Sequence, residues 1–390
     1  MFDNLTTPAP DALHGIMDAY RADPRPEKMD LGVGMYRDAD GRCPVIGAVK
    51  DAEVALTLSQ SSKGYLPLAG APAFIDSMLR MVLSDSHSAR LEGRVAAVQT
   101  PGGTGALFLG GSLVNATSNQ AAAWVGNPTW PSHAPLLTYT GLRVQQYDYL
   151  SDDRRSVSSD SVMEACGSAA RGDIFLLHGP CHNPTGMDLS RDERADILDV
   201  LEQRGAVPML DVAYAGLGQG MNIDLKIVRD AMNRERAIVA FSCSKSFSLY
   251  RERTGMLMVT CADRAERDIV QRVLERIARS AWSMAPAHGA EVVGMILSDP
   301  ERESAWRGEL ESMRERIQMV RQRLTRADRT GMLSAVGEGQ GIFSVLPITP
   351  QQVQHLADDH AIYMAPTGRI NVAGFKEGDE ERFSAALATL

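Results

Sequence analysis

The sequence predicts an α/β protein with a mostly parallel β-sheet and a second, smaller domain. Between residues 94 and 260, short apolar segments with the composition of buried strands alternate with helical segments. That alternation is typical of a parallel sheet covered by helices on both faces. Past Pro300 the apolar residues instead recur in steps of four and three along one helical stripe. This change of period predicts one long helix that leads into the smaller domain.

Six short apolar runs are the predicted strands of the sheet. They are residues 94–99, 121–125, 173–177, 207–212, 237–241 and 256–260. The clearest helix between them begins at Ser190, where Glu193 completes a capping box, and ends at Gly205. The long helix carries the apolar stripe Trp306, Leu310, Met313, Ile317, Val320 and Leu324, and a strand-like segment follows at residues 341–346.

Composition limits the classes of function. The chain has 390 residues, enough for two or three folding units, with 44% hydrophobic and 23% charged residues as in an ordinary soluble protein. Its net charge of −9 argues against nucleic acid as the main partner. No apolar run is long enough to span a bilayer, and the N-terminus lacks the basic start and apolar core of a secretory signal. We therefore expect a cytoplasmic protein with no membrane partner.

The five cysteines are scattered and odd in number, which fits a reducing compartment. None has metal-finger spacing, and Cys181 beside His182 lacks further ligands at metal-site spacing. We therefore predict no metal site. Cys243, two residues before Lys245, is more readily interpreted as a buried filler at a strand end than as a nucleophile.

A single lysine, Lys245, follows the apolar segment 237–241 and lies among small hydroxylated residues. A lysine just beyond a buried strand is desolvated, which lowers its pKa and favours the neutral amine that forms Schiff bases with carbonyl groups. Ser242, Ser244 and Arg253 supply the donors that hold a phosphate. Together these residues predict a phosphorylated aldehyde cofactor, and the alternative is a surface lysine in a polar turn.

Two glycine-rich segments are candidates for close approach of a ligand to the backbone. Residues 100–107 lie between a predicted strand and a helical run, where backbone N–H groups face an anion. Their spacing matches neither the nucleotide P-loop nor the dinucleotide fingerprint, so a single phosphate is the favoured ligand and a tight connection is the alternative. Residues 31–36 either admit a ligand or form a tight bend.

Further polar and aromatic residues also follow apolar segments. Trp130 lies between two prolines, and it either stacks on a planar ligand or packs in the core. Asn183 offers amide donors. Asp211 lies in an apolar segment, where a buried carboxylate needs a cation such as a protonated ring nitrogen. The alternative is that Asp211 caps a loop and has its hydrogen bonds satisfied there. Tyr214 follows three residues later. Because ligands bind beyond the carboxyl ends of parallel strands, we expect these residues to converge with Lys245 on one site.

Six motifs follow one another along the chain: residues 100–107, 127–133, 182–186, 211–214, 242–245 and 368–374. They resemble the motifs of the aspartate and aromatic-amino-acid aminotransferases, which are pyridoxal-phosphate enzymes of fold type I. The resemblance covers essentially the whole chain, in order. It is strongest to the bacterial tyrosine and aromatic branch at residues 242–247 and at Tyr363 and Met364, shortly before Arg369.

The resemblance implies a role for each residue of the cofactor site. Lys245 would attach the cofactor and carry the proton between it and the substrate Cα. Asp211 would pair with the pyridinium nitrogen, and His133 would support Asp211 from behind. The resemblance also implies ring contacts from Tyr214, Asn183 and Trp130, and phosphate contacts from Gly103, Thr104, Ser242 and Arg253.

The resemblance further implies a homodimer with shared active sites. Tyr65 would reach the phosphate of the neighbouring subunit, and Arg279 would come from the partner to meet a second carboxylate of the substrate. Arg369 would clamp the substrate α-carboxylate. The full set expected to contact substrate is Gly34, Trp130, Asn183, Arg279 and Arg369.

We expect an N-terminal arm at residues 1–12, a small domain from residues 13–44 and 312–390, and a large cofactor-binding domain from residues 45–311. The expected activity moves an amino group between an aromatic or dicarboxylic amino acid and a 2-oxo acid such as 2-oxoglutarate, by a ping-pong mechanism. The alternatives are an aspartate-specific aminotransferase, a lyase or decarboxylase on the same fold, and a cofactor-sensing regulator. The regulator is disfavoured because the short arm leaves no space for a DNA-binding module.

Four residues depart from the pattern of this family. They leave the cofactor chemistry unchanged but bear on the shape of the substrate pocket. They are Met35, Ala215, Leu217 and Trp282.

Overall fold

The structure is a computed structural model that describes Phe2 and residues 12–390. Of the predicted arm at residues 1–12, all but Phe2 and Ala12 lie outside the described residues. The division into a small domain (residues 13–44 and 312–390) and a large domain (residues 45–311) stays a prediction.

The strands form one large sheet and two small ones. They are Met29–Asp30 (β1), Val95–Pro101 (β2), Ala122–Asn127 (β3), Arg143–Asp148 (β4), Ile174–His178 (β5), Val207–Val212 (β6), Ala237–Ser242 (β7), Thr254–Thr260 (β8), Phe343–Val345 (β9), Ile362–Tyr363 (β10) and Arg369–Asn371 (β11). The large sheet has seven strands in the order β2-β8-β7-β6-β5-β3-β4. β8 runs antiparallel to both of its neighbours and the other pairs are parallel, so the predicted mostly parallel sheet is confirmed. In the small sheets β1 pairs parallel with β10, and β9 pairs antiparallel with β11.

The six predicted strands are all present, and no predicted end differs from the observed end by more than two residues. β4 was not among the predicted strands. This strand lies at the edge of the sheet and exposes most of its side chains, so it lacks the apolar run that marks a buried strand. The strand-like segment at residues 341–346 is shorter than predicted and is limited to β9.

Helices cover both faces of the large sheet. They are Ala12–Ala22 (α1), Gly47–Ser59 (α2), Pro72–Leu83 (α3), Ser88–Leu91 (α4), Gly102–Thr117 (α5), His133–Tyr139 (α6), Ser159–Ser168 (α7), Arg191–Arg204 (α8), Met221–Met232 (α9), Arg264–Trp282 (α10), Ala287–Ser298 (α11), Pro300–Ala327 (α12), Ser334–Glu338 (α13), Pro350–His360 (α14) and Asp379–Leu387 (α15), with a 3₁₀ turn at Val372–Gly374. Along β7, Val239 and Phe241 face one hydrophobic core whereas Ile238 and Ala240 face the other. Burial on both faces explains why the strands are continuous apolar runs.

Two helices follow from local sequence signals. α8 begins with the predicted capping box, in which the Ser190 side chain accepts from the Glu193 amide, and it ends at Gly205 with a left-handed φ of 69°. The long helix α12 buries all six residues of the predicted apolar stripe. Within the described part of the chain, no helix has both the length and the apolarity that crossing a bilayer requires.

Gly205→Ala is expected to lower the free energy of unfolding by about 1 kcal/mol, because an L-residue is disfavoured in the left-handed conformation at this helix end. The matched control is Gly167→Ala in α7, where the position of an added Cβ has no atom within 4 Å and alanine improves helix propensity. Urea unfolding of both variants measures the effect. Equal destabilisation by the two substitutions would contradict this account of Gly205.

Candidate functional site

One cavity lies at the carboxyl ends of β6 and β7, beside the start of α5. The predicted cofactor-binding residues converge there, except that His133 lies behind the cavity and Tyr65 lies elsewhere. The cavity is lined by Gly103, Thr104, Leu107, Trp130, Asn183, Asp211, Ala213, Tyr214, Ser242, Ser244, Lys245 and Arg253.

Lys245 lies in the turn that follows β7, with its Nζ 5.1 Å from the centroid of the Tyr214 ring. Burial lowers the pKa of the Lys245 amine, the Asp211 carboxylate opposes this shift, and the Arg253 guanidinium adds to it. The amine is therefore closer to its neutral, nucleophilic form than an exposed lysine is.

Asp211 is a buried carboxylate near the end of β6. Its Oδ2 lies 3.0 Å from Nε2 of His133. Burial alone would raise the pKa of Asp211, but the hydrogen bond from His133 and the electrostatic contributions of His133, His178 and Lys245 together outweigh it and hold the pKa below its usual value. The carboxylate therefore stays charged inside the protein and can pair with a protonated ring nitrogen.

Behind Asp211 the hydrogen bonds continue through Thr129. Its Oγ1 lies 2.8 Å from Nδ1 of His133 and 2.9 Å from Nε2 of His178. Burial lowers the pKa of His178 well below its usual range, so this imidazole is neutral. Thr129 was not predicted to belong to the site, because a threonine in a proline-containing loop carries no signal of its own. Its place four residues before His133 was the available clue.

Tyr214 and Asn183 approach each other at the same cavity. Asn183 Nδ2 donates to Tyr214 Oη at 3.5 Å, and Asn183 Oδ1 is buried without a partner among the described residues. Burial, assisted by the negative charge of Asp211, raises the pKa of Tyr214. The phenol therefore stays protonated, and both side chains keep hydrogen-bonding capacity for a ligand.

The start of α5 and the turn after β7 form a donor-rich end of the cavity. A Cβ at Gly102 would lie 2.6 Å from Arg253 Nη2, and a Cβ at Gly103 would lie 3.0 Å from the Ser242 Cβ. Because both residues lack a Cβ, the backbone N–H groups at the start of α5 can lie close to the hydroxyls of Ser242 and Ser244 and to the Arg253 guanidinium. Arg253 Nη1 also donates to Ser244 Oγ at 3.4 Å. This donor set suits a phosphate group.

The cavity fits pyridoxal phosphate in every part of its chemistry. The donor-rich end matches the phosphate, and the charged Asp211 matches a basic ring nitrogen. The Lys245 amine matches the aldehyde. The protonated Tyr214 and the Nδ2 donor of Asn183 match the phenolic oxygen.

A second cavity of about 260 Å³ adjoins the first at Trp130, which lines both cavities. Its walls are mostly apolar and include Pro128 and Pro184, whereas Arg154 and Arg369 are its charged side chains. An apolar space with a guanidinium in its wall can accept a molecule that carries both a hydrophobic side chain and a carboxylate.

Arg369 is held in place by contacts that leave some of its N–H donors free. Its Nη2 donates to the Gly32 carbonyl at 2.8 Å, and its guanidinium carbon lies 4.6 Å from the centroid of the Phe343 ring. Its Nε is buried without a partner among the described residues. Burial lowers the pKa of Arg369, but an arginine remains a cation. The free donors can bind a carboxylate in the bidentate manner.

The close approach predicted at Gly34 is an approach of the Phe343 ring. A Cβ at Gly34 would lie 2.5 Å from Phe343 Cζ. The same ring packs edge-on against Tyr214, with 5.8 Å between ring centroids. Phe343 was part of a predicted strand but was not predicted to belong to the site, because an aromatic residue in a strand is most simply a core residue.

Gly34 and His133 line neither cavity but pack against site residues, whereas two predicted site residues lie on the surface away from both cavities. Tyr65 is 94% exposed, and Arg279 is exposed near the end of α10. Both were predicted to act in the site of a neighbouring subunit, and a surface position is compatible with that role.

The residues that depart from the family pattern lie mainly in the core. Ala215 and Leu217 are buried and line neither cavity. Trp282 packs near Phe108, with 6.3 Å between ring centroids. Met35 is half-buried, and its carbonyl accepts from the side chain of Asn371 at 2.7 Å. These departures therefore affect packing around the site more than the walls of its cavities.

Comparison with known proteins agrees with this geometry. Residues 26–387 match the family described as Aminotransferase class I and II. The chain is 41% identical to the tyrosine aminotransferase of Rhizobium meliloti (strain 1021), with 100% of both chains covered. It is 35% identical to the aspartate aminotransferase of Escherichia coli (strain K12), with 96% of each covered. The solved structure of an aromatic-amino-acid aminotransferase from Burkholderia pseudomallei, covalently bound to pyridoxal phosphate, matches with a TM-score of 0.96 at 34% identity and covers 100% of this chain and 99% of that one.

The fold, the cavity and the family match lead to the same conclusion. The predicted fold type I architecture is confirmed by structural matches over the whole chain, and the cavity has the donor set that pyridoxal phosphate requires. The chain belongs to the class I and II aminotransferases, enzymes that use pyridoxal phosphate.

Proposed function

We propose that this aminotransferase moves an amino group between an aromatic or dicarboxylic amino acid and a 2-oxo acid such as 2-oxoglutarate, by a ping-pong mechanism. The observation that carries the proposal is the adjacency of two cavities at Trp130. One brings Lys245 and Asp211 together among phosphate-type donors, and the other is apolar and carries Arg369. The names of the relatives, a tyrosine and an aspartate aminotransferase, support both substrate classes.

Some residues of the cofactor cavity set the charge of the cofactor ring, and others hold the cofactor in position. Pyridoxal phosphate, when bound, supplies an electron sink that stabilises negative charge at the substrate Cα. Asp211 keeps the ring nitrogen protonated, since His133 holds the carboxylate charged. In this proposal Gly103, Thr104, Ser242 and Arg253 hold the phosphate, Tyr214 and Asn183 bind the phenolic oxygen, and Trp130 stacks on the ring.

Lys245 is the residue that attaches the cofactor and moves the proton. Its lowered pKa favours an amine that can accept a proton from the substrate Cα and return it to the cofactor. Burial of the amine next to Tyr214 also limits the access of water to it.

Arg369 binds the substrate α-carboxylate, with help from Asn183 and from the backbone of Gly34. The unpartnered Nε of Arg369 supports this assignment, because a buried donor seeks an acceptor. The Nδ2 group of Asn183 can supply a further N–H donor. The apolar wall at Trp130 then faces the substrate side chain.

We also propose a homodimer with shared active sites. Val54 and Leu58 lie one helical turn apart on α2 and are 55% and 84% exposed, and the 94% exposed Tyr65 follows soon after the helix. Exposed apolar side chains grouped in this way are typical of an interaction surface. In the dimer Tyr65 would reach the partner's phosphate site, and Arg279 would meet the distal carboxylate of a dicarboxylic substrate.

A cytoplasmic location completes the proposal. The five cysteines of the chain are all free thiols in the structure, and four of them are buried. Unpaired thiols fit a reducing compartment.

Lys245→Ala is expected to lower kcat by at least about a thousandfold, because the group that transfers the proton is removed while the rest of the cavity remains. Steady-state turnover measures the loss, and circular dichroism checks the fold. Lys226→Ala, which alters an exposed lysine on α9, is the control and should retain the parent rate. Multiple turnover by Lys245→Ala at a tenth of the parent rate would refute the assignment.

Asp211→Asn is expected to slow proton abstraction by about a hundredfold or more while cofactor binding changes far less, since the carboxylate matters most when negative charge develops in the transition state. Single-turnover stopped-flow absorbance separates the two effects. Asp173→Asn is the matched control, because Asp173 is a buried carboxylate that accepts from the Ala122 amide and the Trp124 indole, away from the cavity. A loss below about tenfold in Asp211→Asn would rule out the pairing with the ring nitrogen.

Arg279→Leu is expected to lower kcat/KM for aspartate. The decrease should correspond to about 2 to 5 kcal/mol of lost transition-state stabilisation, which is the cost of losing one partner of a desolvated charge pair. Activity on phenylalanine should largely remain, because a ring needs no cation there. Arg276→Leu, one turn earlier on the exposed face of α10, is the control and should leave both substrates unaffected. Equal losses for aspartate, tyrosine and phenylalanine would show that Arg279 is structural, and a parent enzyme inactive on aromatics would refute the aromatic half of the proposal.

A further inference from the structure

Arg321 is a buried cation that the proposed chemistry does not use. It lies on α12, four residues after Ile317 of the apolar stripe, and is 1% exposed. Among the described residues it forms no ion pair within 4.0 Å, and burial lowers its pKa to about 10. An unpaired buried guanidinium is costly, so its retention in the core requires strong hydrogen bonds.

The hydrogen bonds of Arg321 all go to one stretch of backbone. Nη1 donates to the Val336 carbonyl at 2.6 Å, and Nε donates to the Gly341 carbonyl at 3.1 Å. Nη2 donates to the Phe343 carbonyl at 2.6 Å and also faces the carbonyls of Gln340 and Gly341, each at 2.9 Å. We call these four carbonyl groups, of residues 336, 340, 341 and 343, the carbonyl ring. The guanidinium therefore ties α13, through Val336, to Phe343 at the start of β9, and it fixes the loop at residues 339–342 between them.

That loop delivers the Phe343 ring to the substrate side of the site. The ring lies 4.6 Å from the guanidinium carbon of Arg369 and 5.8 Å from the Tyr214 ring. It also fills the space that a Cβ at Gly34 would need. A shift of the Phe343 backbone would therefore move the surface against which Arg369 stacks.

The carbonyl ring also touches the loop that carries Asn183. The Gln340 amide donates to the Gly186 carbonyl at 2.7 Å. A Cβ at Gly186 would lie 2.2 Å from the Phe343 carbonyl oxygen and 2.9 Å from Arg321 Nη2. Gly186 has a φ of 69° as well, so glycine is needed there both for conformation and for space. The two side chains proposed to hold the substrate carboxylate, Asn183 and Arg369, thus rest on the same buried cation.

We propose that Arg321 is a positioning residue for binding of the substrate α-carboxylate. It acts through the carbonyl ring, which places the Phe343 ring against Arg369 and the Gly186 turn beneath Asn183. This inference rests on the proposed function of Arg369. It predicts that a change at Arg321 weakens binding of carboxylates and leaves the proton-transfer machinery at Lys245 nearly intact.

Arg321→Lys tests the proposal, because lysine keeps the charge but presents its donors from one point and does not span the carbonyl ring. The probe is 3-phenylpropionate, which carries a carboxylate and an aromatic ring but no amino group, added to the holoenzyme and followed by the absorbance of the bound cofactor. We expect its Kd to rise by about ten- to a hundredfold, the effect of misplacing a binding group by about 1 Å. The KM values of phenylalanine and 2-oxoglutarate should rise by similar factors, with kcat changed less than about threefold.

Arg229→Lys is the matched control. Arg229 also donates only to backbone carbonyls, those of Val82 at 2.8 Å and Met81 at 3.2 Å, at the end of α3 and away from both cavities. It should lower the unfolding midpoint without changing the Kd of 3-phenylpropionate. A purely structural Arg321 would give the same result as this control, and that outcome would overturn the proposal.

Two further variants keep the test decisive if Arg321→Lys fails to fold. Phe343→Leu keeps Arg321 but removes the ring, so this single substitution should already raise the Kd of 3-phenylpropionate. Adding Arg321→Lys to it should raise that Kd little further. Parent-like binding by Phe343→Leu would overturn the proposal. Arg369→Leu separates this inference from the proposed function, because unchanged binding in that variant would refute the carboxylate site itself.

Discussion

The hydrogen bond between Asp211 and His133 is the interaction on which the chemistry of the site depends. Burial by itself raises the pKa of a carboxylate at the end of a buried strand and so favours its neutral form. His133, backed by Thr129 and the neutral His178, holds the pKa of Asp211 below its usual value instead. The negative charge provides what a protonated ring nitrogen needs, and it also moderates the loss of charge on the Lys245 amine across the cavity.

The topology of the sheet explains why these groups meet. Parallel β5, β6 and β7 are neighbours, so the loops after them share one edge and bring Asn183, Asp211 and Lys245 together. The antiparallel β8 begins where Gly255 lies against the backbone of Gly102, since a Cβ at Gly255 would come within 2.5 Å of the Gly102 carbonyl carbon. This close contact brings the start of α5 to the turn after β7, and the phosphate donors therefore come from segments far apart in sequence.

The substrate side of the site is organised by a second buried charge. Arg369 keeps donors free because its stacking partner is Phe343, whose carbonyl accepts from Arg321 at the point where β9 begins to pair with β11. Backbone carbonyls thus accept from all parts of the Arg321 guanidinium, whereas Arg369 keeps donors available for a ligand. A site that must bind a carboxylate anion reversibly gains from this division, because its binding cation is held in position without being neutralised.

The sequence by itself determined the buried strands, the capping box of α8, the stripe of α12 and the chemical types at the cofactor cavity, because each depends on neighbours close along the chain. It did not reveal β4, whose edge position leaves no apolar run, and it gave no sign that Thr129 links two histidines. Arg321 carried one sequence clue, its place four residues after Ile317 on a buried stripe, yet a charge at a helix surface is usually solvated. Only the tertiary structure decided that its partners are carbonyls about 20 residues away on a separate loop. Hydrogen bonds between distant segments leave no periodicity in the sequence, and so they become visible only when the chain is folded.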